Sequence, residues 1–156
     1  MISKSLFFIL FFLLSTQLWS NDYRLSLGPG YLRPSHPRAA FQVEVKTPLF
    51  LRCFRGQLGA LTDGLDAGYV YGGAGLEFLF FKKLVFFPNF SPGIYFKGKG
   101  FDLGSPIEFR SCLELAFVIN PKLWIGTQFF HLSNAHLNSH RNPGVNGWIF
   151  FLSFSK

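Results

Sequence analysis

Between Pro106 and Ile119 the chain alternates with a period of two: Glu108, Arg110, Cys112 and Glu114 fall on one face, and Ile107, Phe109, Leu113, Leu115 and Phe117 on the other. A helix would scatter these charges around its circumference, whereas an extended strand sorts them onto two faces. Glu and Arg suit a face where they can pair and hydrogen-bond; the opposite face suits an apolar medium. Composition says what that medium is. Hydrophobic residues make up 49% of the 156, and 22 are Phe, more than a small soluble core can hide. Yet beyond the N-terminus, Gly, Pro or charge interrupts every apolar run before the ~20 residues that a membrane helix needs. Strands closed into a barrel are the remaining way to satisfy the backbone inside lipid.

The first residues supply the route. Met1-Ile2-Ser3-Lys4, the apolar run Leu6 to Leu14 and the small polar stretch Ser15 to Ser20 have the three parts of a secretory signal peptide. Cleavage is expected near Ser20, although Leu18 fits the third position before the cut poorly, so that 1–20 is the signal and 21–156 one barrel domain. The formal charge of +7 suits a surface crowded with lipid phosphates, and equally suits Lys and Arg that only decorate loops. Export argues against nucleic acid as a partner. Cys53 and Cys112 fall on strands three apart, which favours two free thiols over a disulfide.

Strands of about ten residues can be laid along the chain. They run from Tyr23 to Tyr31, with an interruption at Gly28-Pro29-Gly30, then Ala40 to Lys46, Leu49 to Leu61, Ala67 to Phe81, Leu84 to Lys97, Pro106 to Ile119, Leu123 to Phe130, and Trp148 to Phe154. Pro88 and Pro92 make the fifth irregular. Short turns are expected at Thr47-Pro48, Lys82-Lys83 and Asn120-Pro121. Arg33 to Arg38, Gly98 to Ser105 and Ser133 to Val145 read as longer loops at the other end. The count is eight, an even number that returns both termini to one side, and the fold class is an all-β, eight-stranded antiparallel transmembrane β-barrel of the outer-membrane type.

One polar cluster interrupts the last two strands. His131 and Ser133, two apart on a strand, point the same way with Cα atoms roughly 6.6 Å apart, within reach of a base and a nucleophile. A strand-end His and Ser that merely solvate a loop would look the same. On the last strand Asn146, Trp148, Phe150, Leu152 and Phe154 share a face whose bulk and apolarity make it the lipid face. The two faces of the preceding strand are too alike in polarity to say which side His131 takes. His131, His136 and His140 lack an acid or cysteine partner at metal-ligand spacing, so neither a metal nor another cofactor is expected.

His131-Leu132-Ser133-Asn134-Ala135, a polar loop, Asn142-Pro143-Gly144 and an aromatic final strand together resemble the outer-membrane lipid A 3-O-deacylases, also called acyloxyacyl hydrolases. The match covers about the last 35 residues; the rest agrees in barrel pattern and length. The resemblance implies that Ser133 is the nucleophile, His131 its general base, and Asn134 with neighbouring backbone N–H groups the oxyanion donors. It implies a substrate, the 3-linked acyl chain of lipid A in outer-leaflet lipopolysaccharide, and leaves a homodimer open. Two positions depart from the family's pattern. Asn146 stands where a glutamate orients the histidine, an acid-to-amide change that costs roughly 10²–10⁴ in rate in other triads. His136 stands where a glycine is common. Asp102, in the adjacent connection, is the one acid proposed as a substitute. A non-catalytic barrel that keeps this scaffold as an anchor, adhesin or lipid-binding protein is the alternative expectation.

Overall fold

The computed structural model describes residues 23–32, 38–49, 53–64 and 67–156. The expected signal peptide and most of the loop from Arg33 lie outside the described residues. Nine strand segments form one antiparallel sheet: β1 (Arg24–Leu32), β2 (Arg38–Pro48), β3 (Phe54–Thr62), β4 (Gly68–Leu76), β5 (Phe78–Phe80), β6 (Leu84–Phe96), β7 (Ile107–Asn120), β8 (Leu123–Ser133) and β9 (Val145–Ser155). Consecutive segments pair except β4 with β5, β1 also pairs with β9, and β4 pairs with β6, so the sheet closes. β4 and β5 are one stave broken at Glu77, which makes an eight-stranded barrel. There Glu77 N–H still bonds to the Cys53 carbonyl at 2.8 Å, in register with the β3–β4 pairing.

Inward and outward residues alternate as the sequence predicts. Glu108, Arg110 and Glu114 of β7 are buried in the lumen, while Ile107, Leu113, Leu115 and Phe117 are exposed on the outer wall. Outward pairs such as Leu25 with Phe154 and Leu27 with Val43 line the same apolar belt. Cys112 is buried, Cys53 half-buried, and both thiols are free. Pro88 and Pro92 do not break β6, which pairs through both of them with Leu113 and Phe109 of β7. The lapse expected at Gly28-Pro29-Gly30 falls on one side only: pairing with β2 is continuous, while pairing with β9 skips Gly28 and Pro29. One turn is displaced. Thr47 and Pro48 continue β2, paired with Gly56 and Arg55, and the reversal comes after them, between Leu49 and Phe54. Proline is tolerated there because it ends the strand, where its missing N–H costs no further rung.

The lumen has three layers. At the end carrying the 97–106 and 134–144 connections, Leu32, Leu61, Leu103, Leu132 and Val145 form an apolar plug. In the middle, Lys46 Nζ lies 2.8 Å from Glu44 and 2.7 Å from Glu114. Gln128 links both carboxylates, donating to Glu44 at 3.2 Å and to Glu114 at 2.6 Å. Arg110 donates to Gln128 at 2.6 Å and lies between the rings of Tyr71 and Phe130, 4.9 and 4.6 Å from their centroids. Toward the short-turn end, Glu77 is held by Arg24 and by Arg55 at 3.2 Å. Such pairs withstand burial because each charge meets an opposite charge and further hydrogen bonds.

Candidate active site

The β7–β8 and β8–β9 ladders decide the question that polarity left open. Trp124, Gln128, Phe130 and Leu132 of β8 are buried inward, so Ile125, Thr127, Phe129, His131 and Ser133 face the membrane side. In the β8–β9 register His131 stands directly opposite Asn146, and Phe129 opposite Trp148. Side chains opposite one another on one face of an antiparallel pair are in reach. His131 Nδ1 and Asn146 Oδ1 are 2.7 Å apart, both residues are exposed, and Ser133 lies two residues further on the same face, half-buried.

This contact selects a tautomer. An amide oxygen only accepts, so Nδ1 carries the proton and donates it to Asn146, and Nε2 keeps its lone pair. The distal edge of the ring lies against Gly144. A Cβ at that position would be 2.8 Å from Cε1 and 3.1 Å from Nε2 of His131, and Gly144 has a φ of 60°. Glycine is thus required twice, for the left-handed turn and for the space the imidazole occupies. In the sequence Asn142-Pro143-Gly144 stands out only as a motif; a glycine two residues before a histidine-facing strand position is the available signal.

Asn134 is placed differently from its expected role. It is fully buried, and its Nδ2 donates to the carbonyls of Leu103 and Arg141, each at 2.9 Å. Its backbone N–H donates to Asn142 Oδ1 at 3.1 Å. Asn134 therefore ties the 97–106 and 134–144 connections together inside the barrel mouth, and it has no N–H left for an oxyanion on the outer wall. The residues after it do. Ala135 and His136 have φ values of 49° and 63°, two left-handed residues in succession. Two left-handed residues at the centre of a four-residue reversal make a turn of type I′. Among the described residues neither N–H donates a hydrogen bond, while Leu137 N–H closes the turn onto the Asn134 carbonyl at 2.9 Å.

Asp102 does not substitute as the acid. Its carboxylate takes hydrogen bonds from Lys97 at 3.1 Å and the Gly104 N–H at 3.0 Å, with Arg141 at 3.9 Å. The Lys97 hydrogen bond, then the Gly104 amide, hold it below the usual aspartate range. The imidazole nitrogen it would orient is already occupied by Asn146. His136 Nδ1 lies 3.5 Å from Asn142 Nδ2, at the far edge of contact.

The comparisons with known proteins agree with the barrel. Residues 39–155 match the family described as lipid A 3-O-deacylase (PagL). No curated protein matches the sequence. The crystal structure of the outer membrane enzyme PagL superposes with a TM-score of 0.63 at 13% identity, over 85% of this chain and 98% of that one. Ail, the attachment invasion locus protein of Yersinia pestis, gives 0.55 at 12% identity, over 88% and 99% of the two chains. A de novo designed transmembrane β-barrel gives 0.62 at 10% identity, over 87% and 96%. At these identities the likeness is one of fold.

Proposed function

The chain belongs to the lipid A 3-O-deacylase (PagL) family, and from that premise we propose that it is an outer-membrane ester hydrolase that removes the 3-linked acyl chain of lipid A. The observation that carries this reading is the 2.7 Å contact between His131 and Asn146 on the membrane-facing wall, with Ser133 beside it. A nucleophile on the outer wall, instead of in a lumen that is filled with side chains, suits a substrate that is itself a component of the bilayer. The ester comes to the site by lateral diffusion, and no entry channel is needed.

In this mechanism His131 Nε2 takes the proton of Ser133 as its Oγ attacks the ester carbonyl, and Asn146 holds the ring in the tautomer that leaves Nε2 free. The Ala135 and His136 N–H groups receive the oxyanion. Collapse of the tetrahedral intermediate returns the proton from His131 to the departing lipid A hydroxyl. Water, deprotonated by the same imidazole, then hydrolyses the acyl-serine. The loop end of the barrel faces outward, which brings the site to lipopolysaccharide in the outer leaflet.

Mass spectrometry of lipid A from cells expressing the protein or its Ser133→Ala form tests this. The expected result is loss of one 3-linked acyl chain with the wild type and none with Ser133→Ala; an unchanged pattern with folded wild-type protein counts against it. Asn146, an amide where the family pattern has an acid, favours a second reading, a non-catalytic barrel that keeps the scaffold. Covalent labelling of Ser133 by an ester-directed serine probe belongs to the first reading alone.

A further inference from the structure

The outer wall of β7 carries a hydroxyl that packing does not explain. Ser111 is exposed between Phe109 and Leu113 and stands directly across from His131 in the β7–β8 pairing. Most serine and threonine side chains that point outward from the strands are bonded to backbone: Thr47 to the Pro48 carbonyl at 3.3 Å, Thr62 to Ala67 at 2.9 Å, and Thr127 to Ile149 at 3.1 Å. Ser111 and Ser133 are the exceptions among the described residues. Both unspent hydroxyls therefore flank the same imidazole, and in an apolar belt an unpaired hydroxyl carries a desolvation cost that a substrate oxygen would relieve.

Their positions differ in a useful way. Asn146, His131 and Ser111 form one row across β9, β8 and β7, and Ser133 lies one row nearer the loop end. From ~4.8 Å between strands and ~6.6 Å along two residues, the Cα atoms of Ser111 and Ser133 are roughly 8 Å apart. If Ser133 meets the scissile carbonyl, the hydrocarbon tail runs away from the loop end, over the exposed side chains of Leu113, Leu115 and Ile125. Ser111 lies at the start of that path, whereas the sugar lies on the other side of Ser133. Its partner is thus an oxygen on the acyl chain, a few bonds from the carbonyl.

We infer that Ser111 is a specificity-determining residue, whose hydroxyl hydrogen-bonds an acyl-chain oxygen so that the site favours β-hydroxylated acyl esters over plain ones. This rests on the ester-hydrolase reading of the same wall. Purified protein in detergent micelles is given nitrophenyl esters of β-hydroxydecanoate and decanoate. The expected kcat/KM ratio is roughly fivefold in favour of the hydroxylated ester, which is what a net hydrogen bond of ~1 kcal/mol supplies. Ser111→Ala brings the ratio to about one, and Ser111→Thr keeps it. Equal rates with the wild type, or a ratio that survives Ser111→Ala, overturn the inference and leave the hydrolase reading standing. Hydrolysis of neither ester overturns the hydrolase reading instead. Competitive binding of β-hydroxydecanoate and decanoate to the Ser133→Ala protein then still decides for Ser111: preference for the hydroxylated acid supports it and equal binding sinks it.

Discussion

In the proposed mechanism Asn146 does half of what a triad acid does. In serine hydrolases an acid-to-amide change costs about 10⁴ when it also leaves the histidine in the wrong tautomer. Here the amide presents its oxygen to Nδ1, so orientation and tautomer are kept and only the charge that would stabilise imidazolium is missing. The difference between a neutral and a charge-assisted hydrogen bond is about 1–2 kcal/mol, or roughly tenfold in rate. Asn146→Glu should therefore raise deacylation by about tenfold or more, read as the initial rate of acyl release from purified lipid A. A lower rate in a folded Asn146→Glu protein would show that position 146 does not occupy the acid's place. At this scale His131, Ser133 and Asn146 were legible as a group because spacing and motif both mark them. Asn134 was misleading for a physical reason: the sequence shows an amide next to a serine, and does not show that both amide protons are spent on Leu103 and Arg141.

Among the elements, β7 could be read directly and β8 could not. Charges on alternate residues leave β7 one way to sit in a membrane, whereas Ile125, Thr127 and Phe129 differ little from Trp124, Gln128 and Phe130. What orients β8 is long-range. Gln128 must reach Glu44 across the lumen, with Glu114 beside it on β7, which turns His131 outward. The connection that follows is strained at His136, a non-glycine residue with a φ of 63°. A left-handed non-glycine residue costs roughly 1–2 kcal/mol, and glycine gives back part of that in chain entropy. His136→Gly should thus stabilise the 134–142 turn by about 0.5–1 kcal/mol, slowing amide hydrogen exchange there by roughly two- to fivefold. Unchanged or faster exchange would mean that contacts of the imidazole outweigh the backbone cost.

For the whole barrel, the proposed working groups and the cohesive groups face opposite sides of one wall. Lipid gives the outer face no reason to hold its strands in register, so the selection among closed arrangements falls to the lumen, where a wrong register would leave a charge alone. Lys46 is the test of that. Without it, Glu44 keeps Arg110 at 3.8 Å and the Tyr71 hydroxyl at 2.7 Å, whereas Glu114 keeps only the amide of Gln128. Lys46→Met preserves most of the volume and leaves Glu114 buried without a cation, which should cost about 3–5 kcal/mol, measured as a lowered urea midpoint for unfolding from micelles. Adding Glu114→Gln removes the stranded charge, leaves Glu44 paired with Arg110, and should recover most of it, because the penalty belongs to the unpaired carboxylate and not to lost packing. A loss under about 1 kcal/mol from Lys46→Met alone would mean that the lumen's charges are solvated in the folded barrel and do not select its register.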